Sequence, residues 1–158
     1  MKEFDTEERV ETALRLFYEG YNCAQAVTMA YSDLFDIPTE TARNMSISFG
    51  GGVGRMREVC GTVSGMALIA GFAHPVSDPS QKDAQKANLD AVRSMSGGFK
   101  EKYGTLVCRE LLTSDAIKSE LPPMPERLAQ YYGKRQCARF VETAARNIAK
   151  MLHDTKQN

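Results

Sequence analysis

The sequence predicts an all-α fold, a single-domain helical bundle of about six to seven helices over residues 1–158, with a buried central apolar helix at about residues 58–73. Apolar residues recur at helical three-and-four spacing along most of the chain, no run alternates with the period of two that a half-buried strand requires, and no internal repeat or low-complexity tract intervenes. The chain has 158 residues, and at that length a single core buries roughly 70 % of the unfolded surface without cross-links.

The first helix is expected over residues 5–19. Asp5 and Glu8 are spaced as a capping pair, Val10, Ala13, Leu14 and Phe17 share a face, and Gly20 stops it. Asn22 is a good N-cap for a second helix, on which Cys23, Ala26, Val27, Ala30, Tyr31 and Leu34 recur on one face before Pro38; Cys23 then lies in its first turn. A third helix starts with Thr39 as cap, buries Ala42, Met45 and Phe49, and ends in the loop Gly50-Gly51-Gly52-Val53-Gly54.

The fourth helix is the apolar run Val59–Ala73, starting near Arg57 or Glu58 and ending before His74-Pro75, with Cys60 in its first turn. Apolar or small residues cover nearly all its faces, which places it inside the bundle, and Gly61, Ser64, Gly65 and Gly71 permit close helix approach. At fifteen residues it falls short of the about 20 that a membrane span needs. After a Ser/Asp/Pro linker at 76–81, a longer, more polar and therefore outer helix runs from Lys82 to about Lys102. It carries Ala84, Ala87, Ala91, Met95 and Phe99, and Gly97-Gly98 are expected to bend or end it. Gly104-Thr105 opens a short helix, Leu106–Leu112, with Cys108 early in it. Residues 113–125 are a loop, since Pro122, Pro123 and Pro125 forbid a regular helix. The last helix covers roughly Arg135–Leu152, with Cys137, Val141, Ala144, Ala145, Ile148 and Leu152 inward; a start near Glu126 interrupted at Gly133 is the alternative.

Lys+Arg and Asp+Glu both total 20, so the net charge is zero, and the electrostatic footprint of a nucleic-acid binder or a polybasic membrane protein is missing. The acidic N-terminus has no apolar core of a secretory signal, so a cytoplasmic protein without membrane insertion is expected. Reducing cytosol disfavours permanent disulfides, which leaves Cys23, Cys60, Cys108 and Cys137 as buried hydrophobes, metal ligands or redox thiols.

The cysteine intervals are 60−23 = 37, 108−60 = 48 and 137−108 = 29, and none forms a CxxC pair. Placement says more than spacing. The sulfurs fall in or near first helical turns, where free N–H groups and the helix dipole stabilise a thiolate. Arg55 and Arg57 precede Cys60, Arg109 follows Cys108, and Lys134, Arg135 and Arg139 surround Cys137. The bland alternative is that four small sulfurs on apolar faces simply pack.

The segments Gly20-Tyr21-Asn22-Cys23-Ala24-Gln25-Ala26-Val27, Phe49-Gly50-Gly51-Gly52-Val53-Gly54-Arg55, Cys60-Gly61-Thr62-Val63-Ser64-Gly65, Cys108-Arg109-Glu110-Leu111 and Cys137-Ala138-Arg139-Phe140-Val141 together resemble a redox-active family with the pattern C…CGAxxG…C…C. The four family cysteines fall on Cys23, Cys60, Cys108 and Cys137, and the two glycines on Gly61 and Gly65; Thr62 stands where the pattern has Ala. The resemblance implies a redox site at the four sulfurs, which serve as catalytic or metal-ligating groups. Asn22, Gly51, Gly52, Arg55, Gly61 and Gly65 of the same segments are its candidate cofactor-binding residues.

Two mechanisms suit such a site. Four thiolates converge on an Fe–S cluster, or on a metal bound by all four cysteines, for electron transfer. Otherwise pairs cycle between dithiol and disulfide, with Cys60, beneath the glycine loop, as the attacking sulfur. The chain is then an oxidoreductase or electron carrier with a redox partner the sequence does not name. The competing class is a non-enzymatic metal-binding or sensor domain with structural cysteines. Gly50–Arg55 could cradle an anion, but it is neither a Walker loop nor a GxGxxG after a strand. His74 is placed to complement a helix C-terminus, His153 carries no assigned role in a frayed last turn, and the eight methionines read as core filler. Ser64 lacks the glycine two residues earlier that a nucleophile elbow requires, which disfavours a hydrolase.

Overall fold

A computed structural model describes residues 1–113 and 137–157. The described residues form an all-α bundle of seven α-helices with no strand. Helix α1 spans Thr6–Tyr18, with the Asp5 side chain accepting from the Glu8 N–H as the capping pair predicts; the chain turns out through Gly20 at φ 110°. Helix α2 (Cys23–Ser32) starts in a reciprocal capping box. The Asn22 side chain accepts from the Gln25 N–H, and the Gln25 side chain accepts from the Asn22 N–H. Helix α3 (Thr39–Ser46) begins directly after Pro38, which takes the cap position expected of Thr39, and a 3-10 turn, Ile47–Phe49, extends it.

Helix α4 (Gly61–Ala73) begins later than the apolar run suggests, because residues 51–55 and 57 take left-handed conformations that no right-handed α-helix can include. Helix α5 (Lys82–Tyr103) runs unbroken through Gly97 and Gly98, where a bend or end is expected. Each interior glycine costs only about 1 kcal/mol relative to alanine, and Met95 and Phe99, buried on either side of the pair, hold the helix to the core. It stops at Gly104 in the left-handed conformation. Short α6 is Cys108–Thr113, and α7 is Ala138–Gln157. The expected loop at 113–125 and the alternative start near Glu126 lie outside the described residues apart from position 113, which belongs to α6.

Helix α4 packs against α2, α5 and α7, while α1 lies on α2 and α7. Its first ten residues are largely buried, and its C-terminal end reaches the surface at Phe72. Gly65 makes the α2–α4 approach possible, since a Cβ there would sit 3.0 Å from Val27 Cγ1 and 3.3 Å from the Ala24 carbonyl oxygen. The large buried side chains Tyr31, Met66, Ile69, Phe99, Phe140 and Ile148 fill the centre, each worth roughly 1.5–3 kcal/mol of burial. Tyr31 satisfies its hydroxyl by donating to the Ala145 carbonyl at 2.7 Å. At the far end α7 is not frayed at His153, whose ring stacks on Phe4 at 4.6 Å and approaches Thr6 Oγ1 at 3.2 Å. No helix among the described residues is long and apolar enough to cross a membrane.

Candidate functional site

Between the turn after α3 and the start of α4 the backbone coils left-handed. Gly51, Gly52, Val53, Gly54, Arg55 and Arg57 all have φ between 55° and 71°. Glycine adopts this freely, but Val53, Arg55 and Arg57 each resist it by roughly 1–2 kcal/mol. The coil is held by its own hydrogen bonds. The N–H of Gly54 donates to the Ser48 carbonyl (2.7 Å), that of Arg55 to Gly50 (3.2 Å), that of Arg57 to Gly51 (3.0 Å) and that of Glu58 to Gly52 (2.9 Å).

The chain leaving the coil runs beside the strip that enters α6. Val59 and Val107 form an isolated antiparallel bridge, the Cys60 N–H donates to the Leu106 carbonyl (2.8 Å), and the Cys108 N–H to the Glu58 carbonyl (2.6 Å). This clasp sets Cys60 and Cys108 on neighbouring segments. Gly52 lets the coil press against it, because a Cβ there would lie 2.7 Å from Cys108 Cβ.

All four cysteines stand at helix starts. Cys23 and Cys108 are the first residues of α2 and α6. Cys60 caps α4, one position ahead of the expected first turn, its carbonyl accepting from the N–H groups of Val63 and Ser64. The Cys137 carbonyl likewise accepts from Phe140 and Val141. All four cysteines line one cavity of about 500 Å³ together with Asn22, Gly51, Arg55, Arg57 and Thr62, and among the described residues no Asp or Glu lines it. Of the other expected site residues, Gly52, Gly61 and Gly65 sit behind this lining as spacers. A Cβ on Gly61 would come within 2.5 Å of Cys23 Sγ and 2.9 Å of the Phe49 carbonyl oxygen. Asn22 seals one edge, donating from Nδ2 to the Ile47 carbonyl (2.8 Å).

Cys60 is 4 % exposed, and its pKa is pushed up to about 12, chiefly by burial and next by the nearby Cys23 thiol, against hydrogen bonds to Thr62; Cys137 raises it further. That corrects the expectation that Cys60 is an accessible attacking sulfur: it is the most shielded of the four, whereas Cys23 and Cys137 are half-buried. Thr62 Oγ1 lies 3.1 Å from Cys60 Sγ. Arg57, a sequence neighbour of Cys60, turns to Cys108 instead and donates from Nη1 to its Sγ at 3.8 Å. Arg109, adjacent to Cys108 in sequence, pairs with Glu58 and donates to the Met56 carbonyl. Lys134 and Arg135 lie outside the described residues.

Among the described residues no group of three or more His, Cys, Asp or Glu side chains is gathered tightly enough to hold a metal ion. The sulfurs therefore face a shared space and do not close as a cage around one ion, whose bonds of about 2.3 Å would draw them together. Sequence reasoning passed over Gln25, which completes the α2 cap and lines the cavity; the N-x-x-Q spacing of the capping box was its signal.

The family described as "Putative redox-active protein (C_GCAxxG_C_C)" matches residues 21–151, a span that takes in all four cysteines. Its label writes a glycine before the second cysteine, whereas here the glycine follows, in Cys60-Gly61-Thr62-Val63-Ser64-Gly65. No curated protein and no solved structure matches the chain.

Proposed function

The chain belongs to the C_GCAxxG_C_C family, and on that premise we propose that it is a small electron carrier whose four cysteines ligate one iron–sulfur centre. The observation that carries the reading is the opening of all four cysteines onto one cavity with no carboxylate among its described lining residues. A thiolate-ligated cluster is anionic, and the surroundings suit an anion. Helices α2, α4 and α7 direct their N-terminal dipoles at Cys23, Cys60 and Cys137, while Arg57 compensates Cys108. Cys60 fits the part of a ligand better than that of a nucleophile, because a thiol held at about 12 ionises at neutral pH only when it meets a cation. The bound centre would supply a one-electron couple; the protein would supply ligands, a Thr62 hydrogen bond to Cys60 and exclusion of water. Four free thiols suit a reducing compartment such as the cytoplasm.

Visible absorbance together with iron and sulfide analysis of anaerobically purified protein tests this reading. A brown protein with matched iron and sulfide is expected, and a colourless, iron-free protein that cannot be reconstituted overturns it. One contact favours a second reading, thiol–disulfide cycling between Cys23 and Cys60, because Cys23 Sγ lies against Gly61 and acts on the Cys60 thiol. There a disulfide would form as two protons and two electrons leave, and mass spectrometry across a series of thiol redox buffers would detect it. Protein that shows neither centre nor reversible disulfide would be the binding or sensor domain.

A further inference from the structure

Six arginines of the bundle are tied to carboxylates: Arg9 to Asp33, Arg15 to Glu19, Arg43 to Glu40, Arg93 to Asp90, Arg109 to Glu58, and Arg146 to Glu7 and Glu142. Arg55 and Arg57 break this pattern. Both line the cysteine cavity, both are exposed, and neither is paired with a carboxylate among the described residues. Arg57 has a sulfur for its partner, and the Arg55 side chain has no charged or hydrogen-bonded partner among the described residues. A molecule with equal numbers of basic and acidic residues pairs these other arginines with carboxylates, and leaves two without one among the described residues at the mouth of the cysteine cavity.

Their placement is built. Each sits in the left-handed region, at φ 61° and 63°, where an arginine is disfavoured, and the coil's hydrogen bonds hold it there. The stem of Arg55 lies over Gly51, where a Cβ would come within 2.7 Å of its Cγ, so any larger residue at 51 would push it aside. Among the described residues that line the cavity no acidic side chain offsets the two arginines, so their charge bears on the mouth and the sulfurs behind it.

We propose that the molecule exchanging electrons or thiol groups with this site is a small anion, drawn in and held by Arg55 with Arg57 beside it. The inference rests on the cavity being the redox site and names the charge class of what reaches it.

Iodoacetate and iodoacetamide test it, since they alkylate the same thiols with the same leaving group and differ mainly in charge. The ratio of their rate constants at Cys23 and Cys137, located by peptide mapping, is independent of each thiol's degree of ionisation. It is measured on the full-length protein after chelation and compared with N-acetylcysteinamide. The protein is expected to favour iodoacetate over that reference by about tenfold, an advantage that added salt removes. Arg55→Gln should abolish most of it, Arg55→Lys should keep it, and inorganic phosphate should slow iodoacetate alone. A ratio equal to the reference, or one unmoved by Arg55→Gln, overturns the proposal. Iron and sulfide content is read separately. A protein that is purified iron-free, cannot be reconstituted and gives a shifted ratio refutes the cluster and leaves the anion site standing, whereas a protein that carries iron before chelation and gives a flat ratio refutes the anion site alone.

Discussion

Two concave regions of the bundle differ in kind, and the larger of the two is the plainer. Between α5 and α7 a groove of about 820 Å³ is lined by residues such as Asp90, Met95, Gly98, Lys150 and Asp154. Three of its four charged lining residues are paired, Lys150 with Asp154 and Asp90 with Lys86 and Arg93, and almost all of its walls come from two continuous helices. The smaller cysteine cavity draws on the starts of four helices and a coil, carries no carboxylate and leaves two cations without an acidic partner among the described residues. Volume alone therefore does not mark the site. Convergence of separate chain segments on uncompensated chemistry does.

The glycines repeat the contrast: Gly50, Gly52 and Gly61 are packed against site atoms, whereas Gly97 has nothing near a Cβ and Gly98 only a remote amide. If the cavity is the reactive region, Cys60→Ala should remove bound iron and reversible oxidation altogether, read by absorbance and redox titration, while any cysteine-free change in the groove leaves both intact. Gly61→Ala should cost about 3 kcal/mol in urea unfolding, since the added methyl meets Cys23 Sγ and the Phe49 carbonyl; Gly97→Ala should stabilise by about 1 kcal/mol. An equal response at the two positions would dissolve the distinction.

Metal-free protein should also weaken in alkali. Cys60 holds its proton more tightly folded, at about 12, than at its ordinary value of 9.0. The stabilisation is therefore complete below about pH 9 and is lost as the pH rises from there towards 12. Urea unfolding across that window checks it, with Cys60→Ala flattening the slope. The smallest effect is expected at Thr62. With the proposed centre bound, the Thr62 hydroxyl, 3.1 Å from Cys60 Sγ, would stabilise the more negative state, so Thr62→Val should lower the midpoint potential and Thr62→Ser should restore it.

Much of the bundle is legible in the sequence because local chemistry decides it. Asp5 and Asn22 cap where their side chains say they should, and the apolar faces of α1, α2 and α7 are the buried ones. The coil is not legible beyond its glycines. Nothing in the propensity of Val53, Arg55 or Arg57 announces a positive φ, which is held by their hydrogen bonds to Phe49, Gly50 and Gly51. This is why the apolar run points to a start of α4 several residues early. Cysteines at helix starts can be anticipated, but their meeting at one cavity cannot be deduced from intervals of 37, 48 and 29. Sequence adjacency misleads about the cations too, since Arg57 serves the sulfur across the clasp and not the one three residues on.

The helix that brings Cys137 also closes the core through Tyr31 and Arg146. A ribosome makes the chain from its N-terminus, at about 5–20 residues per second, so Cys23 emerges 137−23 = 114 residues ahead of its last counterpart. For those seconds three thiols and an uncovered apolar face meet the cell before the pocket exists. The chamber therefore cannot close until Cys137 has been made, and a nascent chain ending before it would present reactive sulfur with no chamber to contain it.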